Sequence, residues 1–180
     1  YAGSALTPGT TYYWRILFID VGGRAGAWST GTNTFRLAAN SAPTAPTSLL
    51  TENMTNPTNI ADTTPEFSAI YNDPNTGDFA NKYRLQVSTS SAFTSLRWDS
   101  ATSTMATTTV GIRSPDISYA GSALTPGTTY YWRIYFVDGA GAAGAWSAGT
   151  NTFSLAVPNS APTAPTSLLA EGMTNPTNAT

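Results

Sequence analysis

Residues 11–20 fall into two alternating sets, one of them bulky and largely aromatic. Tyr12, Trp14, Ile16 and Phe18 take one side, and Tyr13, Arg15, Leu17 and Ile19 take the other. A period of two belongs to a strand, whose successive side chains point to opposite faces. The bulky aromatic set reads as the core face. No stretch carries an apolar repeat near 3.6 residues, so no helix is predicted. Strand signals recur instead at short intervals, split by clusters of Pro, Gly, Asn and Asp. The pattern predicts strands over 47–50, 66–71, 82–88, 95–100, 105–110, 129–138 and 150–157, with a Gly/Ala-rich hairpin loop over 139–149. About seven short strands in roughly 115 residues is the pattern of a β-sandwich.

The same pattern is written more than once. Residues 1–39 return at 119–157 with 31 identities in 39 positions, and 41–59 return at 160–178 with 17 in 19. The period is about 118 residues, the size of a whole small domain rather than a solenoid unit. The segment 60–118 occurs once. The expected organisation follows. Residues 1–39 are the C-terminal half of one repeat, and 40–46 are a Pro-containing linker leading into a first strand. Residues 43–157 are one complete sandwich, and 158–180 hold a linker and the start of the next. The core set recurs unchanged at Tyr130, Trp132, Ile134 and Phe136, whereas Leu17 becomes Tyr135 and Ile19 becomes Val137 on the other face. An outward face under looser constraint varies in this way. A two-stranded piece cannot bury a core alone. The half-repeats are therefore expected to take their missing strands from neighbouring repeats or identical subunits.

The stretch Leu124-Thr-Pro126-Gly-Thr-Thr-Tyr130-Tyr-Trp132-Arg-Ile134, repeated at 6–16, resembles the E–F corner and F strand of a fibronectin type III domain. Ala42-Pro-Thr-Ala-Pro-Thr-Ser-Leu49 resembles that family's opening strand. Residues 64–69 would be strand B and 83–87 strand C. The resemblance implies an immunoglobulin-like sandwich in tandem repeats, in which Tyr12 and Tyr130 are the tyrosine-corner residues. It further implies modules of a large microbial surface or extracellular protein. One departure stands out: strand B of the family carries a core tryptophan, but Phe67 and Ala69 are the apolar residues here.

Composition narrows the function. Of 180 residues only 10% are charged, against about 25% in an average domain. The 31 Thr and 18 Ser supply much of the polar surface, and Lys82 is the single lysine. With no His and no Cys, His triads, Cys nucleophiles, Cys/His zinc sites and disulfides are excluded. A net charge of -2 argues against nucleic acid as a partner. No apolar run is long enough for a membrane-spanning helix. The chain opens on Tyr1 without a visible signal peptide, so a processed product or a part of something longer is expected.

Candidate chemistry is sparse. Gly139-Ala-Gly141-Ala-Ala-Gly144 matches a dinucleotide fingerprint, but no helix follows it, and the first copy breaks it. Asp73-Pro-Asn75-Thr-Gly77-Asp78 is the metal candidate. Its oxygen side chains around a turn glycine suit calcium, and equally suit an ordinary β-turn. The motif also resembles loops of bacterial Ig-like domains, some of which hold calcium at domain junctions. An EF-hand is excluded, because Arg84 stands where its last carboxylate would be. Glu66, Asp73, Asp78 and Asp99 form no spaced pair for glycoside hydrolysis, so no enzyme is expected. Tyr13, Arg15 and Leu17, with Tyr131, Arg133 and Tyr135, make an outward stripe. Strand C would add Arg84 and Gln86 beside it. Aromatic and arginine side chains are frequent in binding hot spots, and are also ordinary cross-strand pairs. Asn53 and Asn178 fit glycosylation sequons.

The primary expectation is a structural module of an extracellular filament or stalk-like array. Its partners are neighbouring repeats or identical subunits, and it carries no cofactor other than the calcium candidate. The rival is an adhesin or carbohydrate-binding repeat that takes glycans. Trp28 and Trp146 discriminate: buried between sheets they remove the sugar platform, and standing out in both copies they provide one.

Overall fold

The structure, a computed structural model, describes residues 2–170, 172 and 174. Its ten strands are β1 (Thr11–Trp14), β2 (Asn33–Arg36), β3 (Thr47–Thr51), β4 (Glu66–Ile70), β5 (Phe79–Ser88), β6 (Leu96–Asp99), β7 (Ser103–Thr109), β8 (Ile117–Ser118), β9 (Thr129–Asp138) and β10 (Thr152–Ser154). Among the described residues there is no helix, and so none that could cross a membrane.

Strands β3 to β10 form one sandwich. One sheet runs β3-β4-β8 and the other β10-β9-β5-β6, with β7 also paired to β5. All pairings between these strands are antiparallel. The long β5 is shared lengthwise: its first half meets β7 and its second half meets β6, while β9 lines its other edge. A parallel bridge between Ile60 and Leu155 brings the segment after β3 onto β10, and so ties the two sheets together at one edge.

The predicted alternation on β9 holds from Tyr130 to Phe136 and breaks at Val137, which was read as outward but is buried. Tyr130, Trp132, Ile134 and Phe136 are buried, and Tyr131, Arg133 and Tyr135 are half-exposed. Facing them from β4 and just beyond it come Phe67, Ala69 and Tyr71, all buried. Ring contacts join the layers. Phe67 lies 4.8 Å from Trp132 and 5.5 Å from Phe153, and Tyr71 meets Phe136 edge-on at 5.7 Å. The core tryptophan therefore comes from β9 and packs on Phe67 of β4. Burying such a side chain contributes about 1.5–3 kcal/mol.

The first copy keeps the local structure without the burial. Strands β1 and β2 pair in the register of β9 and β10, with Tyr12 opposite Phe35. Yet Trp14 is 51% and Phe18 77% exposed, against 2% for Trp132 and 1% for Phe136. The core face read at Tyr12, Trp14, Ile16 and Phe18 is thus uncovered in this copy. Their partners in the complete unit lie on the opposite sheet, and the described residues supply that sheet only once.

Two of the predicted bounds that change, and one strand not predicted, have clear physical reasons. Strand β5 begins at Phe79 because residues 79–83 find a second edge partner in β7. The 150–157 prediction shortens to β10, beyond which Leu155 pairs with Ile60 instead of β9. The two residues of β8 are too short to show an alternation.

Candidate functional site

Two clusters gather the residues singled out by sequence. The first is the outward stripe of β9 and β5. Register places Gln86 opposite Arg133 and Arg84 opposite Tyr135. Arg133 donates to Gln86 Oε1 through Nε at 2.9 Å and Nη2 at 2.7 Å. The Gln86 amide donates onward to Asp99 Oδ2 at 2.8 Å. Asp99 in turn accepts two bonds from Arg84, at 2.9 and 2.6 Å. Arg84 thereby holds the Asp99 carboxyl well below the usual carboxylate range, and Asp99 with Tyr135 raises the guanidinium. Partial burial lowers Arg133, and the nearby positive charge of Arg84 adds to that shift.

Aromatic rings close over this polar chain. The Arg133 guanidinium lies 4.1 Å from the Phe93 ring centre and 4.3 Å from that of Trp146. Tyr135 meets Trp146 edge-on at 4.6 Å. Phe93 reaches its place from the β5–β6 turn with φ at 57°, a left-handed conformation that costs a bulky residue about 1–2 kcal/mol. Its contact with Arg133 contributes about 0.5–2 kcal/mol in the other direction. Sequence reading missed Phe93 because nothing in Ser90-Ser-Ala-Phe93 marks a turn that folds back over β9. The result is a self-satisfied plate, in which Gln86 is buried although it points outward. One side of Trp146 is taken by a cation, where a sugar would have to stack.

The first copy repeats the motif more openly. Arg15 lies 4.4 Å from the Trp28 ring centre, and Trp28 is 47% exposed. Tyr13 is exposed and Leu17 half-buried. An open groove of about 460 Å³ lies beside Tyr13, Trp14, Arg15 and Asn33. The corresponding groove in the complete unit, beside Tyr131 and Asn151, measures about 40 Å³, because Ser91 and Phe93 line it as well. Trp28 and Trp146 therefore stand on the outward face in both copies, each with an arginine on it.

The second cluster is the junction between the hairpin and the sandwich. Asp73 and Asp78 come together with Asp138, their carboxylates within 4.8 Å of one another. Asp138, at the end of β9, was not singled out from sequence, although Asp20 matches it in the first copy. Asn75 turns away from this group toward the linker: its Oδ1 accepts the Ser41 N–H at 2.7 Å, and its amide donates to the Ala39 carbonyl at 3.0 Å. The Asn40 amide donates to Asp138 Oδ2 at 2.8 Å. Asp73 accepts the Tyr71 hydroxyl at 2.9 Å and the Asn75 N–H at 2.7 Å, and Asp138 Oδ1 accepts the Ala142 N–H at 2.7 Å. Burial first, then Asp73, raises Tyr71 far above the ordinary phenol range. The three carboxylates have the oxygen chemistry a divalent cation needs; in this arrangement the linker's Asn40 amide and the main-chain N–H groups of Asn75, Phe79 and Ala142 already bind them.

A second acidic trio, Glu52, Asp62 and Glu66, lies beside the β3–β4 connection. The hydrogen bond shared with Glu52 raises the Glu66 carboxyl. Both tyrosine hydroxyls named from sequence accept a backbone N–H: Thr125 to Tyr130 and Thr7 to Tyr12, each at 2.7 Å. Asn53 is exposed in a turn with φ at 58°. Asn178 lies outside the described residues.

Fold and site together define an immunoglobulin-like β-sandwich whose outward sheet face is closed by its own side chains and whose entry linker is hydrogen-bonded in place. The chain belongs to the family of Rha78A-like N-terminal immunoglobulin domains, whose model matches residues 46–157. Among solved structures it is similar to the α-L-rhamnosidase from Dictyoglumus thermophilum, at 23% identity and a TM-score of 0.55, over 62% of this chain and 12% of that one. It is also similar to the Streptomyces avermitilis α-L-rhamnosidase complexed with L-rhamnose, at 25% identity and a TM-score of 0.54, over 62% of this chain and 10% of that one. The chain thus matches about a tenth of the length of either enzyme. None of the curated protein sequences matches it.

Proposed function

We propose that the chain is a non-catalytic structural module of a larger extracellular protein, an immunoglobulin-like spacer in a stalk-like tandem array that holds its neighbours at a set angle. One observation carries this reading: the linker is bonded into the sandwich. Asn40 and Ser41 reach Asp138 and Asn75, and Asn75 also holds the Ala39 carbonyl. The same Asn-Ser-Ala-Pro-Thr-Ala-Pro sequence recurs at 159–165, where it would enter the next unit. Pro43 and Pro46 are buried and limit the backbone further. A spacer needs this combination of a rigid unit and a fixed joint, and low charge suits an array of close neighbours. The test is solution scattering from the chain and from Asn40→Ala/Asn75→Ala. Loss of the clamp is expected to broaden the distribution of interatomic distances without unfolding the sandwich. An unchanged profile would overturn the fixed joint.

The second reading is a carbohydrate-associated module. Its support is the likeness to domains of two α-L-rhamnosidases and the outward Trp28. Affinity electrophoresis against rhamnose-containing polysaccharides, with Trp28→Ala as control, tests it. Retardation that disappears with Trp28 would favour this reading over the spacer.

A further inference from the structure

We propose that the open face of the β1–β2 hairpin is one half of a second sandwich, and that its occupant is a further half-sandwich built like residues 43–118, joined ahead of the hairpin in the same polypeptide. The inference rests on the tandem-array reading and deepens it by naming the partner.

The molecule itself displays what covers such a face. Strands β9 and β10 carry the same inward residues, and there Phe67 and Tyr71 cover Trp132 and Phe136. The matching Trp14 and Phe18 are exposed. The first copy also keeps glycines that the complete unit needs where its two halves meet. A side chain at Gly144 would run into Pro43, and one at Gly121 into Trp98 and Tyr119. Both glycines are kept in the first copy, as Gly26 and Gly3. Gly26 there has only the Phe18 carbonyl within reach, at 3.3 Å. The groove of about 460 Å³ beside Trp14 is the space that the Ser91–Phe93 turn occupies in the complete unit.

The connector argues for a covalent join. In the complete unit Tyr119 and Leu124 are buried on the path from β8 to β9. The first copy repeats that path residue for residue from Ala2 to Pro8, matching Ala120 to Pro126. A hairpin that recruited a separate chain would have no use for this connector. A second copy of the chain cannot serve either. Its own β9–β10 already fills its β3–β8 half.

The hairpin also says where this partner differs from residues 43–118. Val21 stands in place of Gly139, where any side chain would run into the Phe79 ring. The partner's residue at the Phe79 position is therefore smaller, or its ring is turned aside. Leu17 replaces Tyr135, so the Arg84 position need not be a hydrogen-bonding cation.

The test uses the full chain, alone and preceded by an added copy of 43–118. Alone, amides of 11–18 are expected to exchange fast at every protein concentration, with the molecule monomeric by light scattering. Protection that rises with concentration would overturn the proposal in favour of a second copy. With the added segment, protection over 11–18 is expected to rise about 100-fold or more, toward that of β9. An Ala at the added segment's Phe79 position is expected to raise it further. If 11–18 stay fast while β9 remains protected in the same protein, the proposal fails. Failure here leaves the linker clamp of the spacer reading standing, since that is measured on Asn40 and Asn75.

Discussion

Tyr130 accepts the Thr125 N–H inside a buried corner, and Tyr12 accepts the Thr7 N–H on an exposed one. Tyr130→Phe removes the acceptor of a half-buried hydrogen bond and is expected to lower stability by about 0.5–1.5 kcal/mol. Tyr12→Phe should leave the main unfolding transition where it is; urea melts of both variants check this. Phe67→Ala removes the ring that joins the two sheets and should cost about 3–5 kcal/mol. At the same scale, acid stability has two opposing parts. Asp99 is held below its unfolded value of 3.8 by Arg84. Its stabilising contribution is present above that value and is lost as pH falls below it. Glu66 is raised above 4.5 by Glu52, so its repulsion acts at neutral pH and is relieved as pH falls toward that value. Asp99→Asn is expected to flatten the fall in melting temperature below about pH 4, and Glu52→Gln to abolish the small rise above it. Single residues were legible from sequence where a period fixed their face, as at Tyr130 to Phe136. Phe93 and Asp138 were not, because their roles depend on a turn and a strand end meeting distant segments.

Strand β9 coincides with its sequence prediction, 129–138, because its residues alternate through Phe136 and both flanks carry turn residues. Strand β8 went unseen because it is two residues long and is defined only by its pairing with β4. The stretch 79–83 is paired for the same non-local reason. The uncovered hairpin is the other lesson at this scale: identical alternation gives a buried strand in one copy and an exposed one in the other, so burial belongs to the partner sheet. Isolated two-stranded hairpins are marginal in water. Amide exchange over β1 is therefore expected to be faster than over β9 by about three orders of magnitude or more, given whole-domain stabilities of about 5–15 kcal/mol. Equal protection of the two strands would show that the hairpin is covered.

At the scale of the whole molecule, the sandwich class was legible from strand spacing and the F-strand motif, whereas the joint was not. The motif Asp73-Pro-Asn75-Thr-Gly77-Asp78 looked like a turn or a cation loop. In the structure Asn75 from this loop holds the linker, and Asn40 supplies the amide that meets Asp138. The central claim is that this joint is rigid. The chain has no cysteine, so a pair of spin labels at Ala38→Cys, next to the clamp and off the marginal hairpin, and Thr107→Cys reports one distance across it. The account predicts a narrow distance distribution for the otherwise native chain and a broad one for Asn40→Ala/Asn75→Ala. A distribution already broad in the native chain, and unaltered by the two substitutions, would contradict it.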